Sequence, residues 1–459
     1  PPRHRSASAG KQAGAYHAGM TTAPAPAPPS FDTLALSAAS RDNLRRLGYL
    51  DMTAIQAASL PIALEGRDLI AQAKTGSGKT AAFALALLAR LDVRRFAVQA
   101  LVLCPTRELA EQVTAEIRRL ARSEDNIKVI TLAGGVPLRG QTTSLEHGAH
   151  VVVGTPGRVL DHLDRGHLEL TTLSTLVLDE ADRMLDMGFF DDIATVIRQC
   201  PTARQTLLFS ATYPEGIAKL ARQFLRNPVT VKVEAQHSSN QIEQRWYEIR
   251  EDQRLPGVAR VLDHFRPVRT LAFCNTRARC RELAELLDAQ GYSVLALHGE
   301  LDQRDRDQVL VRFVNGSCSV LVATDVAARG LDIAGLSAVI NVDIPTDPEA
   351  YVHRIGRTGR ADETGLALSL ASLDDMDSVG RIDQMQGRAS VWHALATLTP
   401  APGGRLLPAM ATVQIQAGRK DKIRPGDVLG ALTADLGYTR EQVGKIDINE
   451  FAKIGRAHV

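Results

Sequence analysis

Two short runs in this 459-residue chain carry residue types that do chemistry on a phosphate. The first is Ala73-Lys74-Thr75-Gly76-Ser77-Gly78-Lys79-Thr80. Glycine at 76 and 78 lets the backbone curl, so that successive N–H groups and a helix N-terminus aim at phosphate oxygens. Lys79 adds a point charge for the outer phosphates, and the Thr80 hydroxyl reaches a magnesium ion. Ala73 stands where the general pattern has glycine. The second run is Leu176-Val177-Leu178-Asp179-Glu180-Ala181-Asp182. Its apolar residues end in carboxylates, at the strand edge where parallel sheets place their active sites. Asp179 would hold the magnesium ion through water, and Glu180 would orient or deprotonate an attacking water. Taken singly, the first run also reads as a Gly-rich turn and the second as an acidic helix start. Together they read as a nucleoside triphosphate site.

Such a site needs strands to end at it and helices to begin at it. Leu69-Ile70-Ala71 leads into the first run as a strand, and Ala81 to Leu88 leads out as a helix. From Phe31 to about Val233, apolar strand candidates at 100–103, 151–153, 176–178 and 206–209 alternate with amphipathic helices, which predicts a mostly parallel sheet. After a polar connection near 234–240 the pattern restarts, with strands at 270–273, 294–297, 320–323, 339–342 and 366–370 and helices at 277–290 and 303–313. Two successive α/β domains follow, 31–236 and 241–386, and only the first carries a phosphate loop. Residues 1–30 read as a disordered Ala/Pro-rich leader, with Met20 expected as the natural start. Pro400, Pro402, Gly403, Gly404 and Pro408 mark 387–408 as a linker. Beyond it, 412–416 and 443–448 read as strands and 425–436 as a helix, half of a small α+β module over 409–453 that is expected to be truncated. The last residues, 454–459, can be encoded by a reading frame of a sequencing adapter and are expected to be non-native.

Bulk composition narrows the class. Apolar residues make up 44%, enough for sizeable cores, while the net charge is only +2, so any nucleic-acid surface must come from local Arg and Lys. Five scattered cysteines lack zinc-site spacing and read as buried thiols of a reducing compartment. No apolar stretch reaches membrane-spanning length and the start lacks a secretory signal, so a cytoplasmic protein without membrane contact is expected.

Further motifs complete a series from Phe31 to Arg360 that resembles the DEAD-box RNA helicases, a match carried by many residues in order. The resemblance implies two tandem RecA-like parallel-sheet domains, with a partial RNA-recognition-like module at the C-terminus. It implies ATP as substrate with Mg²⁺, and RNA-dependent ATP hydrolysis. Phe31, with Gly48, Thr53 and Gln56, resembles the adenine-recognition motif, in which a glutamine amide pairs with adenine and an aromatic ring stacks on it. The alternative is a core aromatic and a solvated amide. Thr75, Gly76, Ser77, Gly78, Lys79 and Thr80 then belong to the phosphate loop, and Asp332 resembles the residue that reaches the ribose. Pro105-Thr106-Arg107-Glu108-Leu109-Ala110, Gly134-Gly135 and Thr155-Pro156-Gly157-Arg158 resemble RNA contacts of the first domain, and Thr276, Gln303, Arg306 and Thr324 those of the second. Plain N-caps and turns are the alternative for these. Ser210-Ala211-Thr212 resembles the motif that couples hydrolysis to strand separation, through Asp182 and with His353. In His353-Arg354-Ile355-Gly356-Arg357-Thr358-Gly359-Arg360, Arg357 and Arg360 resemble arginine fingers, or else a solvated basic face.

The resemblance implies that ATP and RNA close a cleft between the domains, that closure brings Arg357 and Arg360 to the γ-phosphate, and that unwinding is local. Leu297 to Arg306 and Lys420 to Leu432 look most like the bacterial DbpA type. That branch implies 23S-type ribosomal RNA and pre-50S particles as partners, and a monomer. Other readings are an ATP-gated RNA clamp without productive unwinding, and a DNA helicase of related architecture, which the adenine motif disfavours.

Overall fold

The runs Ala100–Leu103, Val151–Gly154 and Thr175–Leu178 are buried along their whole length. Strands of this kind do not alternate, because helices cover both faces of the sheet they join. A computed structural model of the chain contains two such sheets. The structure describes residues 29–73, 76–123, 126–233, 242–328, 335–359, 364–405, 407–408, 410–415, 422, 424–448 and 453–458. The leader, Met20 and the 234–240 connection lie outside them.

In the first lobe the strands are β1 (Leu69–Gln72), β2 (Ala100–Leu103), β3 (Val129–Leu132), β4 (Val151–Gly154), β5 (Thr175–Leu178), β6 (Gln205–Ser210) and β7 (Val229–Lys232). They pair in the order β3-β4-β2-β5-β6-β1-β7, all parallel. Because side chains alternate across a strand, Val102, Val153 and Phe209 enter the core on one face with Phe83 and Ile117. Leu101, Leu103 and Leu208 enter the other with Met184 and Ile193. Each fully buried side chain of this size stabilises the lobe by about 1.5–3 kcal/mol. The edge strands β3 and β7 were not marked in the sequence. β7 alternates half-buried and exposed residues, as an edge strand does, over only four positions.

The second lobe repeats the design with β8 (Ile242–Glu248), β9 (Thr270–Cys274), β10 (Val294–Leu297), β11 (Val320–Thr324), β12 (Ala338–Asn341), β13 (Gly365–Ala371) and β14 (Trp392–Ala394), in the order β10-β11-β9-β12-β13-β8-β14. β14 corrects the reading of 387–408 as a linker. Trp392 to Ala394 pair with Trp246 to Glu248 as a seventh strand, and Leu395 and Leu398 are buried in the lobe's core. His264 and Arg266 then hold the carbonyls of Thr399 and Pro402, and the Arg405 guanidinium lies 4.5 Å from the Tyr292 ring centroid. Proline and glycine at 400–408 mark irregular backbone, while the apolar residues that dock the segment, Leu395 and Leu398, come before them.

The third unit has β15 (Met410–Ile415), β16 (Val443–Ile448) and β17 (Lys453–His458), in the order β15-β17-β16, antiparallel. The sequence reading placed two strands here and set 454–459 outside the module. The structure instead lays 453–458 between the two predicted strands. Backbone pairing explains this, because two strands that each present N–H and C=O groups accept any extended segment regardless of its side chains. The predicted helix is shorter than expected, Pro425–Gly430, followed by a wider turn at Ala431–Asp435.

Candidate functional site

The C-terminal edge of the first sheet divides in two. The phosphate-loop residues follow β1, Asp179 and Glu180 follow β5, and Ser210 ends β6, so these candidates gather on the adjacent strands β5-β6-β1. Pro105 to Arg107 follow β2, Gly135 follows β3, and Thr155 and Arg158 follow β4, so the RNA candidates gather on β3-β4-β2. The second sheet puts Thr276 and Gln303 with Arg306 beyond β9 and β10 and Thr324 at the end of β11, and these strands are also neighbours.

On the first half, Gly78 is left-handed at φ 92° and caps the helix Lys79–Leu88. A side chain there would be strained, and its Cβ would lie 2.6 Å from Gln56 Nε2. Gln56 donates to the Gly78 carbonyl at 3.1 Å and accepts from the Thr53 N–H at 2.9 Å. The Thr53 hydroxyl in turn accepts from the Gln56 N–H, which completes a capping box. Gln56 therefore ties its helix start to the phosphate loop. Phe31 is packed in the core, edge-on to Tyr49 with ring centroids 6.2 Å apart. Lys79 is buried, and its Nζ donates to the Ala73 carbonyl at 2.8 Å. Gly76, Ser77 and Thr80 lie at the same turn and helix start. Burial pushes the Asp179 carboxyl up to about 7, against the pull of Lys79 and with repulsion from Glu180. A buried carboxylate next to a lysine and a helix N-terminus suits a magnesium ion brought with phosphates. Among the described residues no three His, Cys, Asp or Glu side chains form a metal cage.

Glu180 has a left-handed backbone, φ 49° and ψ 51°, and opens the helix Ala181–Asp186. Its Oε2 accepts from Arg183 Nη1 at 2.9 Å. Asp182 Oδ2 accepts from the N–H groups of Ala211 and Thr212 and from the Thr212 hydroxyl at 3.1, 2.8 and 3.0 Å, while Ser210 Oγ accepts from the Asp182 N–H. Burial works to raise the Asp182 carboxyl, but the Thr212 groups, Lys79 and His353 outweigh it and hold it below its ordinary value.

Across the cleft, one pocket is lined by Asp182, Arg183 and Thr212 of the first lobe and by His353, Arg354 and Arg357 of the second. Burial, Arg183 and Arg357 lower the His353 pKa, while Asp182 and Glu180 oppose them. Arg354, which the sequence reading gave no role, is fully buried. It makes a two-pronged ion pair with Asp325 at 2.6 and 2.7 Å, and donates to Asn275 Oδ1 and the Asp343 carbonyl. It thereby fixes the helix Pro348–Ile355, and Arg357 just beyond it, to the loops after β9, β11 and β12. Thr75, Asp332 and Arg360 lie outside the described residues.

On the other half the lobes touch directly. Arg306 Nε lies 2.6 Å from Glu108 Oε1, and Arg306 also donates to the Ala327 carbonyl. Arg107 pairs with Glu111 at 2.7 Å and, across the gap, with Asp307 at 3.5 Å. Gly135 is left-handed, and a Cβ there would meet Gln303 at 3.0 Å. Arg107 and Arg306, read as RNA contacts, thus hold carboxylates of the opposite lobe, and Glu108, quoted in the same motif as Arg107, is the partner of Arg306. Thr106 and Thr276 cap the helices Arg107–Leu120 and Arg277–Ala289, Pro105 and Thr324 are buried, and Thr155 precedes the helix Pro156–Asp164. Arg158 donates to the Val136 carbonyl and to Gln141, each at 3.1 Å.

Comparison with known proteins agrees with this layout. Residues 53–220 match the DEAD/DEAH box helicase model, 253–362 the helicase conserved C-terminal domain, and 412–452 the DbpA RNA binding domain. The chain is 50% identical over 427 residues to the ATP-dependent RNA helicase DbpA of Escherichia coli (strain K12), covering 92% of each chain. It is 44% identical over 360 residues to the DEAD-box ATP-dependent RNA helicase CshA of Geobacillus kaustophilus, covering 78% of this chain and 77% of the relative. Its fold is similar to that of S. cerevisiae Dbp5 bound to RNA and ADP BeF3, with a TM-score of 0.73 and 30% identity over 80% of this chain and 96% of that one.

Proposed function

The chain belongs to the DEAD-box ATP-dependent RNA helicases of the DbpA type, and on that premise we propose that it remodels ribosomal RNA of the large subunit during 50S assembly. RNA-dependent ATP hydrolysis is the activity of this family. The third module supports the finer reading, since residues 412–452 add a DbpA-type RNA-binding unit to the two lobes. In this proposal the protein acts as a monomer in the cytoplasm. No helix among the described residues is long and apolar enough to cross a membrane.

The roles proposed for the residues are those of the motifs they resemble, and for the described residues their positions at the sheet ends support them. Backbone N–H groups of 76–79 and the Lys79 ammonium grip the phosphates of ATP, with Gln56 and Phe31 at the adenine end and Asp332 at the ribose. Thr80 and, through water, Asp179 would hold Mg²⁺, whose charge offsets that of the phosphates. Glu180 orients the attacking water. Arg357 and Arg360 enter from the second lobe to stabilise charge on the transferring γ-phosphoryl group, a contribution of roughly 10³ to 10⁵ in rate for such arginines. RNA lies along the β3-β4-β2 and β10-β11-β9 edges, where backbone and 2′-hydroxyl contacts give sequence-independent grip. Closing both lobes bends one strand and expels its partner. Asp182, held by Ser210 and Thr212 and facing His353, relays the state of the nucleotide to that motion.

The test is ATPase activity with large-subunit ribosomal RNA fragments, unrelated RNA of equal length, and single-stranded DNA. Ribosomal fragments should stimulate at the lowest concentration, unrelated RNA at higher concentration, and DNA should fail. Equal stimulation by all RNAs would remove the ribosomal reading.

A further inference from the structure

We propose that Arg183 is a positioning residue for Glu180. This rests on the reading of Glu180 as the group that orients the attacking water. Both side chains are buried, at 8% and 6% exposure, and the Arg183 Nη1 to Glu180 Oε2 distance is 2.9 Å. Glu180 is the residue that precedes the short helix Ala181–Asp186 and Arg183 lies in that helix's first turn, so both ends of the pair belong to one lobe. Their pairing therefore does not depend on the second lobe.

Geometry gives the ion pair a purpose. Glu180 begins the helix in a left-handed backbone conformation, which a residue with a Cβ adopts only where its surroundings over-determine it. A carboxylate in that position has several cations to turn toward. Lys79 lies on its own lobe beside Asp179, and Arg357 stands across the cleft in the pocket that Arg183 itself lines. Arg183 takes Oε2 and so fixes the rotation of the carboxylate. Glu180 is then kept from drawing Arg357 away from the phosphate. Arg183 is itself anchored against the acids that share its pocket, Asp182, Asp186 and Glu349, because Glu180 is the carboxylate it meets at hydrogen-bond distance. A planar guanidinium holds one direction better than an ammonium does.

The test is steady-state ATP hydrolysis at saturating RNA with Arg183→Ala, Arg183→Lys, Glu180→Gln and the double variant Glu180→Gln/Arg183→Ala. Because misplacing a reacting group by about 1 Å costs up to about 100-fold, Arg183→Ala should lower kcat about 10- to 100-fold. KM for ATP and RNA affinity should stay within about 3-fold, since only the transition state loses an interaction. Arg183→Lys should recover part of the loss. In the Glu180→Gln background, Arg183→Ala should add nothing, because the two act as a unit. Wild-type kcat in Arg183→Ala with an inactive Glu180→Gln would overturn the proposal, as would additive losses. Wild-type kcat in Glu180→Gln would instead overturn the role of Glu180. Should Arg183→Ala fail to fold, the lysine variant carries the test: a reduced kcat at unchanged KM supports the proposal, and an unchanged kcat overturns it.

Discussion

At the scale of residues, the site works by placing charges where burial magnifies them. His353 is an instance. Its pKa lies below the ordinary 6.5 because burial, Arg183 and Arg357 disfavour a third positive charge, although Asp182 and Glu180 pull the other way. A histidine with a depressed folded-state pKa stabilises the structure above its unfolded value, and that contribution is lost as pH falls through the folded one. The folded protein should therefore hold its stability above about pH 6.5 and lose some of it on acidification below that. His353→Gln, which stays neutral, should flatten that acid limb in a melting-temperature profile from about pH 5 to 8. An unchanged limb in the variant would assign it to another group. The residues legible in the sequence were those whose types are hard to justify as packing, such as Lys79 between glycines or Arg357 in a Gly-punctuated basic run. Arg183 was not singled out, and Glu108 and Arg354 were quoted within their motifs without the partners they hold, because those partners lie on another lobe or loop that the sequence does not place.

At the scale of elements, strands buried on both faces were read within a residue or two, whereas β3, β7, β8 and β14 were not marked. β8 and β7 carry polar and half-buried positions, and β14 sits in a Pro/Gly-rich stretch whose docking depends on the strand it joins. The end of β13 nearest Arg357 is tightly built. A Cβ on Gly365 would lie 2.4 Å from the Gly359 nitrogen and 2.6 Å from Thr358 Oγ1, in the turn that follows Arg357. Gly365→Ala must therefore displace backbone, with a cost of about 1–3 kcal/mol typical of overpacking. Thermal unfolding should shift downward by several degrees and RNA-stimulated ATPase should drop, while a Gly380→Ala control, in a helix and with nothing within 4 Å of the Cβ, should leave the ATPase unchanged and hold or slightly raise the melting temperature. Equal melting temperatures for the two variants would contradict this packing.

At the scale of the whole molecule, the loops and helices beyond the C-terminal ends of the two sheets meet, so that the residues proposed for the nucleotide lie on one half and those proposed for RNA on the other. The pair of Arg306 and Glu108, both largely buried, holds the second of these halves together. Removing one partner of a buried pair leaves an uncompensated charge and costs about 3–5 kcal/mol. Glu108→Arg should raise the RNA concentration needed for half-maximal ATPase at least 10-fold, and the swap Glu108→Arg/Arg306→Glu should recover much of the loss. No recovery in the swap would mean that the two residues act separately. The most direct measurement of cross-lobe catalysis is single-turnover ATP hydrolysis by Arg357→Ala at saturating RNA, with ATP affinity measured alongside. The expected result is a loss of about 10³-fold or more in rate with ATP affinity within a few-fold of the parent. A rate close to the parent would contradict hydrolysis by groups from both lobes.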